Sequence, residues 1–259
     1  MTEEVRLTDV VHVRLDDVVK FLDERLEVSK FDEVESNGLI VRASDVVTSI
    51  AAAVSTSFHA ISRAKSAQAD LLIVHHRSWP EIDLELVEEK HQRLRQNGIS
   101  LYGAHSALDG ASGISNGDGI AEATGVKVRE RFLPYHGGMA GVIGTTSGTF
   151  QQFVDRLRSA LGTLVEAHQN SERFGVVAIA SGSAPFTTFV QEAAARGADT
   201  YVTGEITMYT RMYAKERKIN LVAGSHYATE TFGVRALAQL VEARFGIAWT
   251  FVPESTDVY

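Results

Sequence analysis

The 259-residue chain contains no cysteine, which excludes disulfides, thiolate nucleophiles, iron–sulfur clusters and every cysteine-based zinc site. Any metal must then be held by histidine and carboxylate. Proline is scarce, at 4 residues, and with 44% hydrophobic and 22% charged residues the composition is that of a chain with a real core, not of a disordered one. No apolar run approaches the ~18 residues needed to span a bilayer. The first residues, Met1-Thr2-Glu3-Glu4-Val5-Arg6, are acidic and unlike a targeting signal, so a cytoplasmic protein without membrane contact is expected. Positive charge is also short: 25 Lys plus Arg against 33 Asp plus Glu leave a net charge of −8. Phosphate backbones need a concentrated basic footprint, and none is visible here, so no nucleic-acid partner is expected. A small anionic substrate held through a metal stays open.

What is present is alternation. Residues 15 to 26 place Leu15, Val18, Val19, Leu22 and Leu26 on one helical stripe, and strand-like segments at 39–41, 46–54, 70–74 and 99–104 are separated by helical patterns at about 57–69 and 82–96. Strand candidates follow at 127–133 and 139–144, then a helix at about 149–161. The last third reads strand 174–180, helix 186–196, strand 199–203, helix 207–217, strand 219–223, helix 227–244 and strand 247–252. Such alternation predicts an α/β protein with largely parallel sheets covered by helices. The Gly-rich stretches at 110–119 and 137–148 read as loop regions, and the second suggests a boundary between lobes at about 1–135 and 136–259.

Nine histidines remain to be placed. Three segments put His or carboxylate at the exit of an expected strand, where ligands bind in open α/β sheets. His75-His76 closes an apolar strand. His105 and Asp109, and then His226 and Glu230, are each four apart, so a helical turn would direct both members of a pair to one side. Taken singly, each is an ordinary strand end or helix start. Together, His75, His76, His105, Asp109, His226 and Glu230 offer the nitrogen and oxygen ligands that a cysteine-free two-metal site needs, with the carboxylates able to bridge. His12, His59, His91, His136 and His168 have no carboxylate at metal spacing and read as surface or core residues. Ser181-Gly182-Ser183-Ala184 could cradle a phosphate at a helix start, with a plain strand-to-helix turn as the simpler reading.

In order and spacing, Asp70-Leu71-Leu72-Ile73-Val74-His75-His76, His105-Ser106-Ala107-Leu108-Asp109, Thr203-Gly204-Glu205 and Gly224-Ser225-His226-Tyr227-Ala228-Thr229-Glu230 resemble the Nif-three-like family. Its members are commonly labelled GTP cyclohydrolase I type 2 homologues or dinuclear metal centre proteins. The resemblance runs from Gly38 to the C-terminal helix. It implies two related α/β lobes enclosing two divalent ions (Zn, Fe or Mn), with the six residues above as ligands and Asp109 and Glu230 bridging, in a ring-shaped homohexamer. The implied activity is hydrolysis by a metal-activated water, on a nucleotide or related small molecule. The alternative is a non-catalytic protein whose metals are structural or stored. Three positions depart from the commoner pattern: Arg77 where many members have proline, Tyr209 near a usual histidine, and Ser225 in place of a glycine.

Overall fold

The computed structural model describes residues 11–254; the N-terminal segment read above for targeting signals lies outside them. The first half runs β1 (Val13–Arg14), α1 (Leu15–Leu26), β2 (Asn37–Val41), β3 (Val46–Val47), β4 (Ser49–Ser55), α2 (Phe58–Ser66), β5 (Leu71–His76), α3 (Pro80–Asp83), α4 (Leu86–Gln96), β6 (Ser100–Ala104), α5 (Ser106–Gly110) and α6 (Asn116–Thr124). The second half runs β7 (Lys127–Tyr135), β8 (Gly138–Thr145), α7 (Phe150–Leu161), β9 (Glu166–His168), β10 (Val176–Ile179), β11 (Ser183–Ala184) and α8 (Thr187–Ala195). It ends with β12 (Thr200–Thr203), β13 (Glu205–Ile206), α9 (Met208–Arg217), β14 (Asn220–Ala223), α10 (His226–Thr229), α11 (Thr231–Phe245) and β15 (Ala248–Phe251).

Two large sheets organise these elements, ordered β15-β4-β5-β6-β2 and β7-β8-β10-β12-β14-β9. In the first, β15, β4, β5 and β6 are parallel and β2 is antiparallel. In the second, β10, β12 and β14 are parallel, with antiparallel strands on both flanks. This is the expected mixed, largely parallel α/β architecture. Strand β5 shows why its sequence is a continuous apolar run. Leu71 and Ile73 enter the core shared with α1 and α11, while Leu72 and Val74 enter the one shared with α2 and α4. A strand covered on both faces needs apolar side chains at every position. The second sheet repeats the plan, with Tyr201 and Val202 of β12 buried in separate cores.

The boundary expected at 135/136 falls between β7 and β8, which pair in one sheet, and β15 carries the C-terminus back to the first sheet. The Gly-rich stretches are not loops throughout. Residues 116–124 form α6, capped by the Ser115 hydroxyl, which accepts from the Asp118 N–H. Gly119 answers to packing: a Cβ there would lie 2.6 Å from that of Phe232 on α11. In β8, a side chain on Gly141 would strike the Phe132 ring. Two expected helices are also broken. Leu84, with φ 54°, separates α3 from α4. Glu230 separates α10 from α11, because the Thr229 hydroxyl donates back to the carbonyls of Ser225 and His226 and such back-bonding bends a helix.

Candidate metal centre

The parallel strands of both sheets run toward a common crevice, and the six residues singled out from the sequence meet there. His75 and His76 end β5, His105 precedes the first turn of α5, and Asp109 lies one turn further along that helix. From the other sheet, the exit of β14 leads through Ser225 into α10, which presents His226 at its start and Glu230 at its end. His75 is fully buried, and Asp109 and Glu230 are 8% and 4% exposed.

Glu230 is the hub. Its Oε1 lies 3.5 Å from His75 Nε2, and its Oε2 lies 3.0 Å from His76 Nε2 and 3.3 Å from His226 Nε2. Asp109 Oδ2 approaches His75 Nε2 at 3.7 Å. Five of the six residues fall into two groups with donor atoms within 4.8 Å of one another, His75–His76–His105 and His76–His226–Glu230, and Asp109 stands outside both. Despite this crowding, His75 Nε2 and Glu230 Oε2 are buried without a hydrogen bond of normal geometry. Groups left in that state cost free energy unless something else satisfies them.

The other nitrogen of each imidazole is held from outside the cluster. The Nδ1 of His75 donates to the Ala104 carbonyl at 2.8 Å, and that of His105 to Glu33 Oε2 at 2.7 Å. The Nδ1 of His76 bonds the Ser55 hydroxyl at 3.1 Å, and that of His226 lies 3.3 Å from Glu205 Oε2. A carbonyl can only accept, so His75 keeps a proton on Nδ1 and turns inward its Nε2, the nitrogen that can give up a proton and take a cation instead. Fixing the tautomer from the outer nitrogen is the usual device of metal-binding histidines. Asp109 is held likewise, its Oδ1 accepting from the Asn116 amide at 3.3 Å.

Electrostatics follow from four imidazoles facing two buried carboxylates. Burial alone would lower His75 and His226, but Asp109 and Glu230 for the first, and Glu230 with Glu205 for the second, raise each to about 9. Burial lowers His76, and burial also raises Asp109. Glu230 resists its own burial because His76 and His75 hold it well below the ordinary carboxylate range. Glu33 is lowered to about 2, its burial outweighed by the hydrogen bond from His105. Protons on His75 and His226 can balance the carboxylates in the way that bound cations would.

The cluster forms one end of a cavity of about 600 Å³, and the turn after β10 forms a wall of it through Ser181 and Ser183. That turn is no open phosphate cradle. The Gly182 N–H donates to the Thr229 hydroxyl, and its carbonyl accepts from the N–H groups of Gly204 and Glu205. Arg77, one departure from the family pattern, pairs with Glu35 at 3.0 Å, and the Trp79 indole N–H donates to the Ser36 hydroxyl at 3.1 Å. Ser225 takes up φ 75°, the backbone a glycine would adopt freely, and its hydroxyl accepts from the Ala228 N–H. Tyr209 is exposed on α9.

Sequence reasoning missed Glu33, Ser55 and Asn116, which carry no motif, and gave no role to Glu205. The remaining histidines stand apart from the cluster. His12 is exposed, His59 bonds the Pro253 carbonyl, and the Nε2 of His91 is buried without a partner. Carboxylate partners that spacing did not reveal are Asp32, 2.9 Å from His136, and Glu166, 2.6 Å from His168.

The chain is similar to known proteins over most of its length. Proteins described as "GTP cyclohydrolase 1 type 2 homolog" from Deinococcus radiodurans and Pyrococcus horikoshii are 34% and 33% identical, covering 92% and 94% of this chain and 92% and 99% of their own. The crystal structure of TTHA1606 from Thermus thermophilus superposes with a TM-score of 0.79 at 30% identity, over 94% of this chain and 99% of that one. A structure described as "protein ybgI, unknown function" reaches 0.85 at 24% identity over the same shares, a likeness of fold. The family profile Duf34/NIF3 (NGG1p interacting factor 3) matches residues 13–258, and the chain belongs to that family.

Proposed function

We propose that the protein is a hydrolase dependent on two divalent cations held by His75, His76, His105, Asp109, His226 and Glu230. One observation carries this reading: the buried Nε2 of His75 and Oε2 of Glu230 lack hydrogen-bond partners at the point where four outwardly anchored imidazoles converge. Zn, Fe or Mn suits such a donor set. When bound, a pair of such ions supplies Lewis acidity and a water acidified toward neutral pH, for attack on an electrophilic carbon or phosphorus.

The chain supplies position and electrostatics. Ala104, Ser55, Glu33 and Glu205 fix the four imidazole rings. Glu230, drawn from the second sheet, ties the His75 side of the cluster to the His226 side. Burial of His75, Asp109 and Glu230 excludes water from the back of the site, where electrostatic interactions are strongest. The open cavity in front gives a small molecule access to the same atoms. Glu33, kept ionised by His105, also lines that cavity and can accept a hydrogen bond from a ligand. The ring-shaped homohexamer implied by the resemblance is part of the proposal and is read by light scattering. No helix among the described residues is long and apolar enough to cross a membrane.

The test is metal counting after reconstitution with zinc, manganese or iron, with turnover assays on small esters, phosphoesters and nucleotides for the native protein and the His76→Ala and Glu230→Ala variants. The reading expects two metals per chain and turnover that vanishes in both variants. Two metals with no turnover of any substrate class favour the non-catalytic alternative. Fewer than one metal per chain removes the dinuclear reading itself.

A further inference from the structure

The cavity in front of the cluster has two unlike ends. At the inner end are the histidines and carboxylates. The outer wall is Trp79, Ile82, Leu133, Tyr135, Phe186 and Phe189. Trp79 sits against the cluster, its ring 5.4 Å from that of His76 and 5.3 Å from that of His105, and Tyr135 lies 6.1 Å from His105. Trp79 is held in place: its N–H is bonded to Ser36, and the loop that carries it is pinned by Ser78, which donates to Asp83, and by the buried Lys90, 2.9 Å from Asp83. Phe186 and Phe189 meet edge to face at 5.7 Å.

Charge sharpens the contrast. Among the described residues lining the cavity there is no lysine or arginine, whereas Glu33, Glu81, Asp109 and Glu230 all line it. The smaller cavity of about 230 Å³ behind His76 and His226 likewise has no lysine or arginine among its described lining. A polyphosphate therefore finds no lysine or arginine, and its only positive partners would be the histidines of the cluster or the ions they hold. Hydrolytic opening of a purine ring needs the base at the cluster, which would leave a triphosphate against the aromatic wall beside Glu81. That arrangement desolvates charge without pairing it. An uncharged ring, in contrast, gains from every aromatic face it covers.

We propose that this cavity selects a substrate with a flat, uncharged apolar ring lying against Trp79 and Phe186, and disfavours nucleoside triphosphates. The inference rests on the hydrolase reading for its inner end but concerns the outer wall, and the two are tested apart. In the metal-loaded protein carrying Trp249→Phe, Trp79 is the sole indole, since the chain has 2 tryptophans, and its fluorescence reports ligands at this wall. Naphthalene-2-carboxamide, guanosine, GTP and inorganic triphosphate are titrated separately.

Saturable quenching by the naphthalene amide is expected, with guanosine binding at least as tightly as GTP and no competition from triphosphate. Trp79→Ala, followed by calorimetry in place of fluorescence, weakens the amide by about 30-fold, the worth of one well-buried aromatic side chain. The more exposed Phe186→Ala weakens it by about 5-fold on the same scale. Metal content unchanged from the parent shows that both variants are folded. GTP binding about tenfold or more tighter than guanosine and displaced by triphosphate overturns the proposal, as does an amide that fails to saturate or is indifferent to both substitutions. A protein that holds fewer than one metal per chain yet binds the amide at Trp79 sinks the dinuclear reading and leaves the aromatic subsite standing.

Discussion

At its strand exits the five-stranded sheet presents side chains, His75 and His76 after β5 and His105 after β6, whereas the six-stranded sheet presents glycines, Gly182 after β10, Gly204 after β12 and Gly224 after β14. The two sheets share a plan and divide the labour. The first sheet contributes donors, and the second lets backbone come close. A Cβ on Gly182 would strike Glu230, and one on Gly204 would lie 2.7 Å from the Cα of His226. Only through such close packing can α10 carry His226 and Glu230 across to the donors of the other sheet. Similar topology thus yields two kinds of surface because the residue at each exit differs.

The sharpest way to break this division is Glu230→Gln, which removes charge from the one residue touching His75, His76 and His226. Metal affinity should fall by at least ~100-fold, beyond the usual effect of losing an outer partner, and retention of both ions on dialysis would show that the hub is misassigned. Gly182→Ala attacks the second sheet without replacing a donor. With φ +70° and Glu230 in the way, it should cost ~2–3 kcal/mol of stability and displace Glu230, read together by urea unfolding and metal content. An unchanged midpoint would mean that the close approach is unimportant.

The outer partners compare the sheets directly. Glu33 holds His105 at 2.7 Å and is largely buried, while Glu205 holds His226 at 3.3 Å and is 57% exposed in its side chain. Glu33→Gln should therefore lower metal affinity by ~10–100-fold and Glu205→Gln by less; the reverse order, measured by competition with a chelator, would contradict the geometry.

A pH series tests the balance of the metal-free cluster. His75 and His226 are raised from 6.5 to about 9, so their protons stabilise the chelated fold fully below pH 6.5, and this is lost as pH rises through 9. Glu230 is lowered below 4.5, so its contribution is present above that pH and lost on acidification. The chelated protein should be most stable between about pH 4.5 and 6.5 with respect to these groups and weaken by a few kcal/mol toward pH 9.5, while bound metal removes most of the alkaline loss. A chelated midpoint that rises between pH 6 and 9.5 would contradict this. The smallest effect concerns Ser225→Gly. It relieves φ 75° but gives up the hydroxyl that accepts from Ala228, for a net gain of about 1 kcal/mol in thermal unfolding; a loss would show that the cap outweighs the strain.

The six cluster residues were legible in the sequence because each sits in a short local pattern: a paired His after an apolar run, or His and carboxylate four apart at a strand exit. Their supports were not. Glu33 lies 72 positions from His105 and Ser55 lies 21 from His76, and a lone carboxylate or hydroxyl has no periodicity to announce it. The glycines of α6 misled for a related reason. Local propensity reads Gly117 and Gly119 as loop, while the approach of Phe232 on α11 demands a glycine at 119 inside a helix. Helix ends fared no better at Glu230, where the back-bonding of Thr229 interrupts what periodicity reads as one helix.

One topological detail bears on how the chain comes to be folded at all. The second sheet is built from a continuous stretch, Lys127 to Ala223, and can form from neighbours alone. The first cannot. Strand β15 pairs with β4, Ala248 opposite Ser49, and α11 covers the same strands. Loop closure of that span is slow and comes late. On the ribosome, the half synthesised first is therefore the half completed last, and its exposed β4 edge waits for the final strand to emerge.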